Sequence, residues 1–155
     1  MFIRDATADD TAAMLRLLRQ IAACSNDAEH GPGSSDEQLL GVIENCKTFV
    51  LGRDDQLIGI NAVRIVDLSE HPRSRYRKMA FIMAFGVDEI ERRRGYGTAL
   101  FDHMRKWLSE EEIDLISLNV SASNEAAQAF YRRMGLAARS VQMDQSLNAD
   151  QQIPD

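Results

Sequence analysis

A chain of 155 residues is long enough for one domain with a substantial core. Its apolar share of 45% and charged share of 27% are those of an ordinary globule. The formal net charge of −6 argues against general nucleic-acid binding and leaves room only for a local basic patch.

No stretch approaches the roughly 20 apolar residues that cross a bilayer. Met1 to Asp10 lacks the basic and apolar regions of a signal peptide, so a cytoplasmic protein with no membrane partner is expected. Cys24 and Cys46 stand far apart in apolar surroundings, which predicts buried free thiols. His30, His71 and His103 are scattered, so no metal is expected.

Phe2 to Arg4 reads as a first strand. Asp9 or Asp10 is placed to cap a helix carrying Met14, Leu15, Leu18, Ile21 and Ala22 on one face. Ser25 to Ser35, with Asn26, Asp27, Gly31, Pro32 and Gly33, reads as a loop. Ser35 and Gln38 form a capping box for a second helix with Leu39, Leu40 and Ile43 inward. Thr48 to Leu51 and Leu57 to Leu68 read as two strands of a hairpin that turns at Arg53 to Gln56.

Ser69 to Lys78 is a loop with Arg73, Arg75, Arg77 and Lys78 close together, either a solvated face or an anion-holding patch. Met79 to Val87 is a near-continuous apolar run, as in a central strand buried on both faces. Arg92-Arg93-Arg94-Gly95-Tyr96-Gly97-Thr98 follows, and then Leu100, Phe101, Met104, Trp107 and Leu108 at helical spacing. Glu110 to Glu112 oppose the dipole at the end of this helix and predict fraying.

Leu115 to Val120 reads as another strand, and Asn124 starts a helix with Ala126, Ala127, Phe130 and Met134 on its apolar face. Gly135 is placed to end it. Leu136 to Leu147 alternates weakly, which predicts one or two edge strands. Residues 1–147 thus form one mixed α/β domain, and 148–155 a flexible tail.

Strand, basic glycine loop and helix in this order describe either a surface turn or an anion site. The first turn of a helix carries unpaired N–H donors and partial positive charge, and glycine lets an anion approach the backbone. There is no Gly-Lys-Ser/Thr, and Gly95-Tyr96-Gly97 lacks the third glycine of a dinucleotide fingerprint.

The strand ending at Val87, the Arg92 to Gly97 loop, Leu118-Asn119-Val120, and then Asn124, Ala129, Phe130, Tyr131 and Gly135 resemble the GNAT superfamily of acyl-CoA-dependent N-acetyltransferases. The match is clearest over Met79 to Leu136. Glu89 and Arg93 depart from it, standing where many members have proline and glycine. The resemblance implies a mostly antiparallel mixed sheet with a splayed central strand pair and about four flanking helices.

It further implies acetyl-CoA as acyl donor and a primary amine, on a small molecule or a protein, as acceptor. Phe85, Gly86 and Val87 would hold the pantetheine amides through their backbone. Arg92, Arg93, Arg94, Gly95, Tyr96, Gly97 and Thr98 would hold the diphosphate. Asn124 would face the pantetheine arm, and Tyr131 would protonate the departing thiolate.

Asn124 and Tyr131 also have plainer readings, as a helix-start residue and a half-buried packing aromatic. Met79 to Val87 contains no acid to act as base, which leaves Asp67, Glu70, Asp27, Glu29 and His30, or a water chain ending at backbone carbonyls, as candidates with none singled out. The alternative function is an acyl-CoA-binding regulatory module without turnover. Relatives often dimerise through their last strands, so a homodimer is one expectation and a monomer with an exposed edge the other.

Overall fold

The computed structural model describes residues 1–24 and 33–151. The chain falls into two compact units, Met1–Asn119 and Val120–Asp155. Most of the expected loop from Ser25 to Ser35, with Asp27, Glu29 and His30, lies outside the described residues, as does the end of the expected tail.

The first unit is built on a five-stranded sheet in the order β1 (Phe2–Asp5), β2 (Lys47–Arg53), β3 (Gln56–Asp67), β4 (Lys78–Val87) and β5 (Leu115–Ser117). Neighbours are antiparallel except β4 and β5, which are parallel. A parallel neighbour needs a crossover. Here α3 (Tyr96–Glu110) supplies it.

Alternation along β2 separates two cores, because successive side chains leave a strand on opposite faces. On one face Val50, Ile60, Ala62 and Ala84 pack with Met14, Leu17, Leu18 and Ala22 of α1 (Thr11–Ala23) and Leu39 of α2 (Asp36–Val42). On the other, Phe49 meets the His103 and Trp107 rings of α3 edge-on, and Phe85 meets Phe101 at 6.0 Å. Leu100, Phe101, Met104 and Leu108 are all buried. Each such side chain contributes about 1.5–3 kcal/mol, so burial rather than propensity fixes α3 against the sheet.

Several local expectations are met in atomic terms. Ser35 Oγ accepts from Gln38 N–H, and Gln38 Oε1 accepts from Ser35 N–H, at 3.2 and 2.8 Å. The β2–β3 hairpin turns on Asp54 and Asp55, both at positive φ (50° and 62°). That backbone suits the twist of a two-residue hairpin but is one that side chains resist. In the second unit α4 (Glu125–Arg133) ends at Gly135, whose φ is 95°.

Other expectations are corrected. β4 is not buried on both faces: Ala80, Ile82 and Ala84 are buried while Met79, Phe81, Met83 and Phe85 are half-buried. Met83 is an extra residue in the ladder, since Ala62 pairs Ala84 and Val63 pairs Ile82. The strand expected over Leu115 to Val120 stops at Ser117.

Leu136 to Leu147 forms no strand. Val141, Met143 and Leu147 are 82%, 88% and 93% exposed, so this segment has no apolar partner to fix a register. The α3 end is closed rather than open. Glu112 takes a left-handed φ of 57°, and Ile113 N–H and Glu112 N–H return to Leu108 and Ser109 carbonyls at 2.9 and 3.2 Å. Cys24 is exposed, because it lies just past the α1 end, and Cys46 is half-buried.

Asp10 does not cap α1 with its side chain. Its carboxylate turns back to accept Thr7 N–H at 2.7 Å and both Arg4 guanidinium nitrogens at 2.7 and 2.9 Å. The Arg4 hydrogen bonds, opposed by burial and aided by Thr7, hold its pKa down to about 2.

A carboxylate depressed on folding stabilises the protein above its unfolded pKa, roughly 3.9, and that stability disappears as pH falls through about 2. Urea unfolding should therefore show Asp10→Asn less stable by about 1–2 kcal/mol above pH 4, with the gap closing towards pH 2. In the hairpin, Asp55→Gly should raise unfolding free energy by about 1 kcal/mol, read from the urea midpoint.

Candidate functional site

The site grows from the far end of β4. Only Met79, Ala80 and Phe81 have partners on β5, namely Leu115, Ile116 and Ser117. From Ile82 to Val87 the strand keeps its β3 pairing and, among the described residues, runs on past the end of the β5 pairing. Phe85, Gly86 and Val87 pair with Asn61, Ile60 and Gly59, and all three are half-buried. The edge of this stretch that faces away from β3 lies beyond the β5 pairing, the place where an extended amide-bearing ligand can align as another strand would.

Gly86 has a packing reason of its own. A Cβ there would lie 2.7 Å from Ile21 Cγ1 of α1, so the glycine lets that helix come close to the strand. Two polar residues one turn apart on α1 then pin the chain just beyond Val87. Arg16 pairs with the buried Asp88 carboxylate and donates to the Leu57 carbonyl at 2.6 Å. Gln20 Oε1 accepts from Glu89 N–H at 3.0 Å.

Asp88 also accepts from Ile90 N–H at 3.3 Å, and Asp88 N–H donates to the Ile58 carbonyl at 2.7 Å. Burial pushes the Asp88 carboxyl up, but the Arg16 and Ile90 hydrogen bonds outweigh it and hold the pKa below the usual carboxylate range. The strand end is thus clamped by a charge that stays ionised.

After a short 3-10 turn at Glu89–Glu91 the chain enters the basic loop. Arg92 Nε donates to the Val87 carbonyl at 3.2 Å, folding the loop back on the strand end. Arg93 sits at φ 65° and Gly95 at φ 83°, both left-handed. Gly95 occupies this conformation freely, whereas Arg93 does so at a steric cost.

Arg92, Arg93, Arg94, Gly95 and Thr98 are exposed, and Tyr96 and Gly97 are half-buried. Gly95 is the N-cap of α3 and has no side chain to satisfy the first turn, so the N–H groups there are unclaimed by a cap. Left-handed residues beside a helix start turn successive N–H groups to one side, a concavity for anions. Arg94 donates to Glu91 Oε2 at 3.0 Å, and so does Arg53 of the hairpin at 3.3 Å. The loop thus sets three arginines after Asp88, Glu89 and Glu91, with Asp88 paired to Arg16 and Glu91 to Arg94 and Arg53.

The structure brings Phe85 to Val87 and Arg92 to Thr98 together as one continuous strand, loop and helix start. Asn124 and Tyr131 belong to the second unit. There Asn124 Oδ1 accepts from Ala127 N–H at 3.1 Å, the plainer of its two readings. Tyr131 is half-buried on the α4 stripe with Ala127, Phe130 and Met134, while Ala126 is exposed. Burial pushes its phenol pKa up to about 12, so the hydroxyl keeps its proton throughout the neutral range.

Of the candidate bases, Asp67 is exposed and accepts from Ser69 N–H at 2.9 Å. Its Ser69 hydrogen bonds lower its pKa, which weakens it as a proton acceptor. Glu70 is exposed. Arg73, Arg75, Arg77 and Lys78 are exposed as well, and their loop is closed by Arg77 and Lys78 N–H groups on the Asp114 carboxylate at about 3 Å. Among the described residues no group of His, Cys, Asp or Glu is placed to hold a metal ion. No helix there is long and apolar enough to cross a membrane.

Arg16, Gln20, Asp88 and Arg53 are not among the residues singled out from sequence. Arg16 and Gln20 carry a faint signal, as polar residues spaced i, i+4 in a helix otherwise rich in leucine and alanine. Arg53 carries none, because a charged residue at a hairpin turn looks like any solvated one.

The fold has counterparts among solved structures. The structure is similar to that of a variant of the BH1408 protein from Bacillus halodurans, with a TM-score of 0.81 at 24% identity over 96% of this chain and 100% of that one. It is similar to a ribosomal-protein-alanine N-acetyltransferase from Brucella melitensis biovar Abortus 2308, with a TM-score of 0.72 at 15% identity over 95% and 100% of the two chains. A third similar structure is AAC(6')-Iy in complex with a bisubstrate analog, CoA-S-monomethyl-acetylneamine, with a TM-score of 0.71 at 18% identity over 94% and 97%.

No curated protein matches the chain. The family model described as Acetyltransferase (GNAT) family matches residues 15–136, which include the whole of β4, the basic loop, α3 and α4. With more than half of its length under that model, the chain belongs to the GNAT acetyltransferase family.

Proposed function

We propose that the protein transfers an acetyl group from acetyl-CoA to a primary amine. The observation that carries this reading is the end of the β4–β5 pairing at Phe81, with β4 running on into an uncapped helix start behind three arginines. An extended amide chain joined to a diphosphate suits that sequence of features in order. The backbone of Phe85, Gly86 and Val87 takes the amides. The N–H groups from Gly95 to Thr98, with the Thr98 hydroxyl and the charges of Arg92, Arg93 and Arg94, take the diphosphate.

Bound acetyl-CoA supplies an activated acetyl thioester. The chain's own part is to fix it, to accept a proton from the amine and to return one to the thiolate. An alkylamine resembles lysine, with a pKa near 10.4, and is mostly protonated at neutral pH, so it must lose a proton before it attacks. Backbone N–H groups at the end of β4 suit the stabilisation of negative charge on the thioester oxygen.

We assign the returning proton to Tyr131 Oη. A phenol held at about 12 carries its proton throughout neutral pH, the form a donor needs, although burial makes it a weaker acid than a free phenol. Asn124, with Oδ1 committed to Ala127, has its amide nitrogen to offer the pantetheine arm. Met79 to Val87 contains no acid, a feature that favours a second reading as an acyl-CoA-binding module without turnover.

Calorimetry with acetyl-CoA tests the binding, and release of free CoA thiol across a panel of amines separates the two readings. Acetyl-CoA binding without release of CoA thiol in the presence of any of the amines favours the module. With an accepted amine, Tyr131→Phe should lower kcat about a hundredfold or more while the acetyl-CoA Kd changes less than threefold. Equal losses in both would remove the acid role.

A further inference from the structure

The described residues hold one charged device at the loop that diphosphate binding does not itself require. Arg53, the last residue of β2, extends from the hairpin to both flanks of the basic loop. Its Nη1 lies 3.3 Å from Glu91 Oε2, one residue before the loop, and 3.3 Å from Tyr96 Oη, at the first residue of α3. Its Nε lies 3.2 Å from Asp54 of its own turn. Arg94, from within the loop, donates to the same Glu91 oxygen at 3.0 Å.

This cross-tie has a physical consequence. The segment between Glu91 and Tyr96 contains two left-handed residues, one of them the strained Arg93, and its residues 92–95 are exposed. Left to itself, such a segment would sample many shapes, and a ligand that needs its N–H groups convergent would have to order them on binding. Fastening both ends to one guanidinium on a rigid hairpin removes much of that freedom beforehand. A planar fork can serve several acceptors at once. Glu91, shared by two cations, also places little net negative charge beside an incoming anion.

We infer that Arg53 is a positioning residue, which presets the Arg92–Gly95 loop for a diphosphate by holding Glu91 and Tyr96 at its two ends. The inference rests on the reading of that loop as the diphosphate site. It is tested by calorimetric affinity for two donors, acetyl-CoA and acetyl-pantetheine, the second carrying the thioester without the diphosphate.

Arg53→Met should raise the Kd for acetyl-CoA at least threefold and leave that for acetyl-pantetheine unchanged. A rise below threefold for acetyl-CoA, or an equal rise for both donors, overturns the role, since general damage would weaken both alike. If Arg53→Met does not fold, Tyr96→Phe removes only the hydroxyl. A rise of twofold or more confined to acetyl-CoA then supports the role, and anything less overturns it. A parent protein that binds acetyl-CoA no more tightly than acetyl-pantetheine overturns the reading of the loop instead, so the two failures are distinguishable.

Discussion

A strand inside a sheet ordinarily meets a partner along both edges, because each unpaired backbone N–H or carbonyl removed from water costs free energy. On its β5 side β4 meets that condition through Met79, Ala80 and Phe81, where the β5 pairing ends. Three features of the first unit bear on the stretch that follows. β3 pairs with β4 along its whole length and admits Met83 as an extra residue. Ile21 presses on Gly86 from one face, and Phe101 meets Phe85 on the other. The stretch of β4 beyond the end of β5 suits a ligand that resembles a strand.

Position at the end of that edge is set by charge. Asp88 is buried, and a buried carboxylate is tolerable only when paired and hydrogen-bonded. Arg16 meets both needs and ties the same point to the Leu57 carbonyl. From there the loop carries positive charge in a protein whose formal net charge is −6. Screening limits the overall negative field to about 8–10 Å, so an anion near the loop responds mainly to the arginines and the helix start.

The parts of the fold that were legible beforehand are those in which a short piece of chain states its own structure. Ser35 and Gln38 cap α2 because both partners lie within one turn. Gly135 ends α4 because a left-handed position favours it wherever the helix lies. The apolar spacing of Leu100, Phe101, Met104 and Leu108 marks a buried face of α3 whatever it packs against. The misreadings have the opposite character. Asp10 looks like a cap by position, yet Arg4 and Thr7 claim its carboxylate. Val141 and Met143 look like strand residues by alternation, yet a strand exists only with a neighbour.

By itself the sequence determined the order of strand, basic loop and helix around Arg92 to Thr98, since backbone conformation and apolar periodicity are local properties. It also determined the family, through motifs whose spacing is carried along the chain. Only the tertiary structure decided that β5 leaves β4 after Phe81, that Arg16 clamps Asp88, and that Arg53 reaches Glu91 and Tyr96. Those contacts join residues about 40 or more positions apart in the chain. Which distant charges meet is settled by how the sheet and helices pack, and no local pattern records it.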